Sequence, residues 1–205
     1  MRAYSHLNLL NRRIENTGKS GFGTIIGSLF ESKYVTLDIK IPTYDFLRGR
    51  QFVNDLKAIL GEDMDPNFRV EHIFVTLYQD FLRQVRGGAD LLDLAKLIMA
   101  GKKHFASLDA PVEVDFVSKN SFVMVREDRP KRIKKENRPV YLPIQVLRNE
   151  VERGEYLLYD MENLYPKLDI TVEELISIRY RDFMHEVKNG NNKVIRALMS
   201  NIQYD

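Results

Sequence analysis

Cysteine and tryptophan are both absent from the 205 residues. Without thiols there is no disulfide, no thiolate-held zinc, no iron–sulfur cluster and no cysteine nucleophile, and the redox compartment leaves no mark on the chain. Long apolar runs are missing as well. No stretch approaches the roughly 18 consecutive apolar residues that a spanning helix needs, so no membrane role is expected. The opening Met1-Arg2-Ala3-Tyr4-Ser5-His6 lacks a basic region followed by an apolar run, which points to a cytoplasmic protein or one incorporated into an assembled particle. Nor is there an excess of one charge: 31 Lys+Arg against 29 Asp+Glu leave +2. Composition alone therefore announces no nucleic acid, although a local patch can hide inside an even total. No internal repeat and no low-complexity tract is expected. What remains, 44% hydrophobic and 29% charged residues, describes a globular chain long enough to bury a core without staples.

Periodicity predicts a mainly helical α+β fold with a small N-terminal β element and a central β-hairpin carrying a basic arm. Tyr4, Leu7, Leu10 and Ile14 fall at helical spacing. Val35, Leu37, Ile39 and Ile41 alternate with polar residues, a half-buried strand ending at Pro42; residues 24–30 suit either its antiparallel neighbour or a short helix. Helices are expected from Thr43 to Leu60, from Pro66 through Val85, and from Leu91 onward. Two alternating runs, 112–117 and 122–125, read as the hairpin. Pro143 opens a predicted helix from Ile144 to Val151 that stops near Gly154, and a further one runs from Tyr156 to Leu164. Thr171 and Glu174 form a capping box for a helix to Lys188, and a last helix carries Ile195 and Leu198. The change of character at Pro111 suggests either a helical lobe over 1–110 and a second lobe over 111–205, or one continuous domain.

Several motifs invite chemistry. Gly18-Lys19-Ser20 is the tail of a phosphate-binding loop, but Arg13 stands where the loop's first glycine belongs, and a helix rather than a strand precedes it. Asp38-x-Lys40 matches the acidic-x-lysine element of metal nucleases, yet the wet face of any strand produces that triplet. His6, His72, His104 and His185 are scattered without metal-ligand spacing, and the acids Asp55, Glu62, Asp63 and Asp65 lack the pattern of a calcium loop. No metal, cofactor or catalytic residue is expected.

Two features rise above this background. Between Arg126 and Arg138 the chain carries Arg126, Arg129, Lys131, Arg132, Lys134, Lys135 and Arg138 against three acids, enough positive charge to neutralise several phosphates without reading sequence. Tyr156, Tyr159 and Tyr165 form a tyrosine cluster, and tyrosine suits surfaces that are dry on one side and wet on the other. The leading expectation is a non-enzymatic structural or assembly component of a larger protein complex, a virion or phage particle being one concrete version, with other protein subunits contacted through helical faces, the basic arm and the tyrosine cluster. The alternative is a nucleic-acid-binding accessory or regulatory protein acting through residues 126–138. A metal nuclease or nucleotide hydrolase built on Asp38 and Lys40, or on Lys19 and Ser20, ranks third.

Overall fold

A strand with one apolar face needs a neighbour for its peptide groups and a layer to cover its apolar side. For the strand β1 (Tyr34–Pro42) the neighbour is β2 (Pro139–Leu147). This is seen in a computed structural model, which describes residues 2–17, 32–109, 138–191, 193, 195, 196, 198 and 199. The pair is antiparallel, with Tyr34 opposite Leu147 and Pro42 opposite Pro139. Around it stand α1 (Leu9–Thr17), α2 (Thr43–Leu60), a short 3-10 turn at Gly61–Asp63, α3 (Val70–Arg86), α4 (Leu91–Asp109), α5 (Arg148–Leu164) and α6 (Val172–Lys188). The fold is α+β and mainly helical, as the periodicity predicts.

The expected β partner at 24–30 and the expected hairpin near 112–126 lie outside the described residues. Three expectations are corrected. The helix predicted from Ile144 is instead strand through Leu147, and α5 then runs unbroken from Arg148 through Gly154. Pro143 is no helix start: a two-stranded ribbon consists only of edge strands, where a proline nitrogen facing away from the partner costs no ladder hydrogen bond. The helix predicted from Pro66 begins at Val70, because residues 65–68 close a turn in which the Phe68 amide donates to the Asp65 carbonyl. Near the N-terminus, Asn8 takes φ 51°, which delays α1 to Leu9 and leaves Ile14 exposed. The Thr171–Glu174 capping box is present, each side chain accepting the other's backbone amide.

The expectation of no internal repeat is also overturned. Val35-x-Leu37-x-Ile39, Arg48-Gly49 and Asp55 recur at the same spacing as Val140-x-Leu142-x-Ile144, Arg153-Gly154 and Asp160. Val70-Glu71, Tyr78, Asp80-Phe81 and Val85 recur as Val172-Glu173, Tyr180, Asp182-Phe183 and Val187. The first set lies on β1–α2 and β2–α5, the second on α3 and α6. The chain thus contains a β-α-α unit twice, with the two strands pairing about a pseudo-dyad that passes through the Asp38–Pro143 pair. Both ends of the ribbon close alike: the Thr43 amide donates to the Arg138 carbonyl at 2.8 Å, and the Arg148 amide to the Lys33 carbonyl at 2.9 Å.

All helices of the two units gather on one face of the ribbon. Leu37, Ile39, Ile41, Leu142, Ile144 and Val146 point into them and are buried, with α6 lying on β1 and α3 on β2. Phe74 of α3 stacks on Tyr180 of α6 with ring centroids 3.9 Å apart. Residues on both sides of Pro111 share this one apolar cluster, which runs from Tyr4 to Leu198.

Two tyrosines tie the units together crosswise. Tyr78 Oη donates to the Glu150 carbonyl in the first turn of α5, and Tyr180 Oη donates to the Asp45 carbonyl in the first turn of α2, both at 2.9 Å. Burial pushes both phenols above the usual tyrosine range, so they stay neutral donors. Each ring reaches its carbonyl only because the facing helix carries glycine. A Cβ at Gly154 would stand 2.0 Å from the Tyr78 hydroxyl, and one at Gly49 would stand 1.9 Å from that of Tyr180. Alanine for glycine within a helix ordinarily gains up to about 1 kcal/mol. Here the sign reverses, since a buried, hydrogen-bonded ring has to move: Gly49→Ala and Gly154→Ala should each cost about 1–3 kcal/mol in urea denaturation. Adding Tyr180→Phe to Gly49→Ala should recover part of that loss. A double variant whose two costs simply add would show that the hydroxyl is not what the methyl meets.

Candidate interaction surface

Among the described residues, none covers the face of the ribbon opposite the helices. Thr36, Asp38 and Lys40 of β1 and Tyr141, Pro143 and Gln145 of β2 alternate with the buried residues and are exposed. Cross-strand pairing groups them as Thr36 with Gln145, Asp38 with Pro143, and Lys40 with Tyr141. Tyr34 and Tyr141 are 50% and 65% exposed, unusually open for aromatic side chains on a strand. Over 32–42 and 138–148 the bases are Lys33, Lys40, Arg138 and Arg148, and the one acid is Asp38. Lys33, Lys40 and Arg138 are exposed, whereas Arg148 is half-buried and its Nε donates to the Ser32 carbonyl at 3.0 Å. Among the described residues the surface is a gently basic ribbon edged with hydrogen-bonding side chains.

Of the seven basic residues picked from the sequence, only Arg138 is among the described residues. Its carbonyl accepts from both the amide and the hydroxyl of Thr43 while the residue itself remains exposed. Arg126, Arg129, Lys131, Arg132, Lys134 and Lys135 lie outside the described residues, but the chain they belong to enters β2 directly at Pro139. Lys19 and Ser20 are also outside.

Asp38 and Lys40 do share one strand face, yet across the ladder they meet Pro143 and Tyr141 rather than a second carboxylate. Among the described residues no group of three or more His, Asp or Glu is placed to hold a metal ion. The histidines serve elsewhere: His6 pairs with Glu173, His72 Nδ1 accepts the Arg69 amide, and the rings of His104 and His185 meet edge to face.

Tyr156 and Tyr159 are one turn apart on α5 and are 44% and 39% exposed. Tyr159 also meets the buried Tyr4 ring edge-on at 6.2 Å. Tyr165, just past the helix end, is half-buried against the core, which separates it in character from the other two.

Sequence reasoning missed the ribbon's second strand, and with it Tyr141 and Gln145; the alternation of Val140, Leu142, Ile144 and Val146 was the available signal. It also missed Glu155, a fully buried carboxylate on α5. Glu155 accepts the Leu9 amide at 3.1 Å, the Leu10 amide at 2.5 Å and the Ser5 hydroxyl, so one side chain satisfies the free donors at the start of α1. Its role is to hold the N-terminal segment onto the second unit.

No family model, no curated protein and no solved structure matches the chain. Among the described residues, no helix is long and apolar enough to cross a membrane.

Glu155→Gln keeps the shape but turns an NH2 donor toward backbone amides that also donate. The expected result is a loss of about 1–3 kcal/mol in chemical denaturation. Unchanged stability would mean that the carboxylate is not what anchors α1.

Proposed function

We propose that the protein is a non-enzymatic nucleic-acid-binding protein whose docking element is the ribbon. The observation that carries this reading is the ribbon's two-sidedness: the helices of the two units lie on one face, while the other, among the described residues, is uncovered and bordered by Lys33, Lys40 and Arg138. A two-stranded ribbon is narrow enough to enter a major groove about 12 Å wide. The strongly basic segment from Arg126 leads covalently into one end of the same ribbon, so phosphate contacts and groove contacts would be made by one continuous stretch of chain.

The test is binding to duplex DNA as a function of salt. Near 50 mM salt the whole chain should bind any duplex measurably. Replacing Lys131, Arg132, Lys134 and Lys135 by glutamine should weaken binding and flatten the logarithmic salt slope by about 0.9 for each phosphate contact removed. No binding by the unaltered chain at low salt would end this reading.

A second reading, an assembly component contacting protein subunits, is favoured by a different observation: the neighbouring exposed rings of Tyr156 and Tyr159, with Leu164 exposed at the end of the same helix. On that reading the joint change Tyr156→Ala, Tyr159→Ala reduces self-association or partner capture without lowering stability by more than about 1 kcal/mol, since both rings are already partly in solvent. Light scattering on both proteins decides it. A wild-type chain that is monomeric, with partner binding untouched in the variant, would remove the tyrosines from consideration.

A further inference from the structure

The pseudo-dyad of the ribbon constrains what kind of duplex it fits, and the residues along it constrain the sequence. Under the dyad through the Asp38–Pro143 pair, Thr36 exchanges with Tyr141 and Lys40 with Gln145. The backbone is two-fold about this axis. The outward chemistry is not: one end presents Lys40 beside Tyr141, the other Thr36 beside Gln145, and Asp38 stands at the centre.

Duplex DNA has a local dyad of its own at each base pair and step, so a two-fold ribbon can centre on it and place each end over one half of a site. Subunits that supply one strand each achieve this as a symmetric pair and read palindromes. In this chain both strands belong to one polypeptide, and their outer residues are free to differ. Thr36 and Lys40 are four residues apart on one strand, about 13 Å at 3.2–3.4 Å per residue, close to four base steps of B-form DNA.

Resting on the nucleic-acid reading above, we propose that a single copy of the chain lies in the major groove of B-form DNA and reads an asymmetric sequence in one orientation. Lys40 is suited to guanine O6 and N7, Gln145 to the N6 and N7 edge of adenine, and Asp38, an acceptor only, to the cytosine amino group near the centre. The site is therefore a guanine-bearing half and an adenine-bearing half about four base pairs apart. Duplex RNA is excluded as the preferred ligand because its A-form major groove is too deep and narrow for side chains to read.

The experiment selects binding sites for the full chain from random duplex DNA, then measures affinity for the selected site in variants. All the altered side chains are exposed, and thermal denaturation confirms that each variant is folded. A non-palindromic site is expected, bound by one chain. Lys40→Ala should reduce discrimination at the guanine by on the order of tenfold and leave the adenine half alone; Gln145→Ala should do the converse. The exchange variant Thr36→Tyr, Lys40→Gln, Tyr141→Thr, Gln145→Lys should bind the same site turned end for end. Because the chain has no cysteine of its own, Ser32→Cys provides a unique attachment point for a DNA-cleaving chelate. Its cuts should move from the adenine side to the guanine side in the exchange variant. A palindromic site, equal binding to duplex RNA, or binding that no ribbon change affects would overturn this inference while leaving general nucleic-acid binding through the basic segment intact. Failure to bind any nucleic acid at low salt would overturn both.

Discussion

Two strands that are each apolar on one side only, paired antiparallel with their buried residues in register, put every apolar side chain on the same side of the ribbon. The rest of the architecture depends on this constraint. Because α2 and α5 follow their strands with no intervening residue, their starting points are set by the ladder. The helices α3 and α6 then cover the exposed apolar strip, each lying over the opposite unit's strand. The Tyr78 and Tyr180 hydroxyls complete the arrangement at the first turns of α5 and α2, where Gly154 and Gly49 leave room for the rings. A slip of one strand by one residue would put the two apolar sets on opposite faces, turning either Leu37 and Ile39 or Leu142 and Ile144 to solvent.

Comparing the two units residue by residue separates what packing demands from what it leaves open. Inside, Val35 matches Val140, Leu37 matches Leu142 and Ile39 matches Ile144. Outside, on the same two strands, Thr36 stands against Tyr141, Asp38 against Pro143 and Lys40 against Gln145. Inward positions answer to a close-packed core in which a single methylene is felt. Outward positions answer only to what the surface touches. The divergence is largest where the interaction surface is proposed, and where helices cover the strands the one change is the conservative Ile41 against Val146.

Much of this was legible in the sequence, and what was not has identifiable physical causes. The alternation of β1, the apolar face of α3 and the reciprocal cap of Thr171 and Glu174 are local signals that tertiary structure reinforces. By contrast, β2 carries two prolines, Pro139 and Pro143, and proline inside an alternating run argues against a strand unless the strand is an edge. Whether it is an edge depends on a partner far away in sequence. Within α5, Gly154 reads locally as a helix end, as glycine usually does; here it marks the approach of a ring from α3, which no local pattern reveals. Glu155 has the same character, since a carboxylate next to exposed-looking neighbours gains its meaning only when α1 docks against it. For the candidate surface, basic residues were visible as composition, but the outward ribbon face became visible only with the pairing.

The crosswise tyrosine contacts have a consequence for how the chain is counted. Each unit supplies a ring and receives one, and the strand ladder likewise has one member from each. Neither unit holds within itself the partner for its own strand or the ring for its own glycine. A second unit from another molecule meets the same demands as the one further along the same chain. The closed single chain is favoured over such an exchange by the effective concentration that the covalent connection provides. Without that connection each unit would still depend on the other for the partner of its strand and for the ring against its glycine.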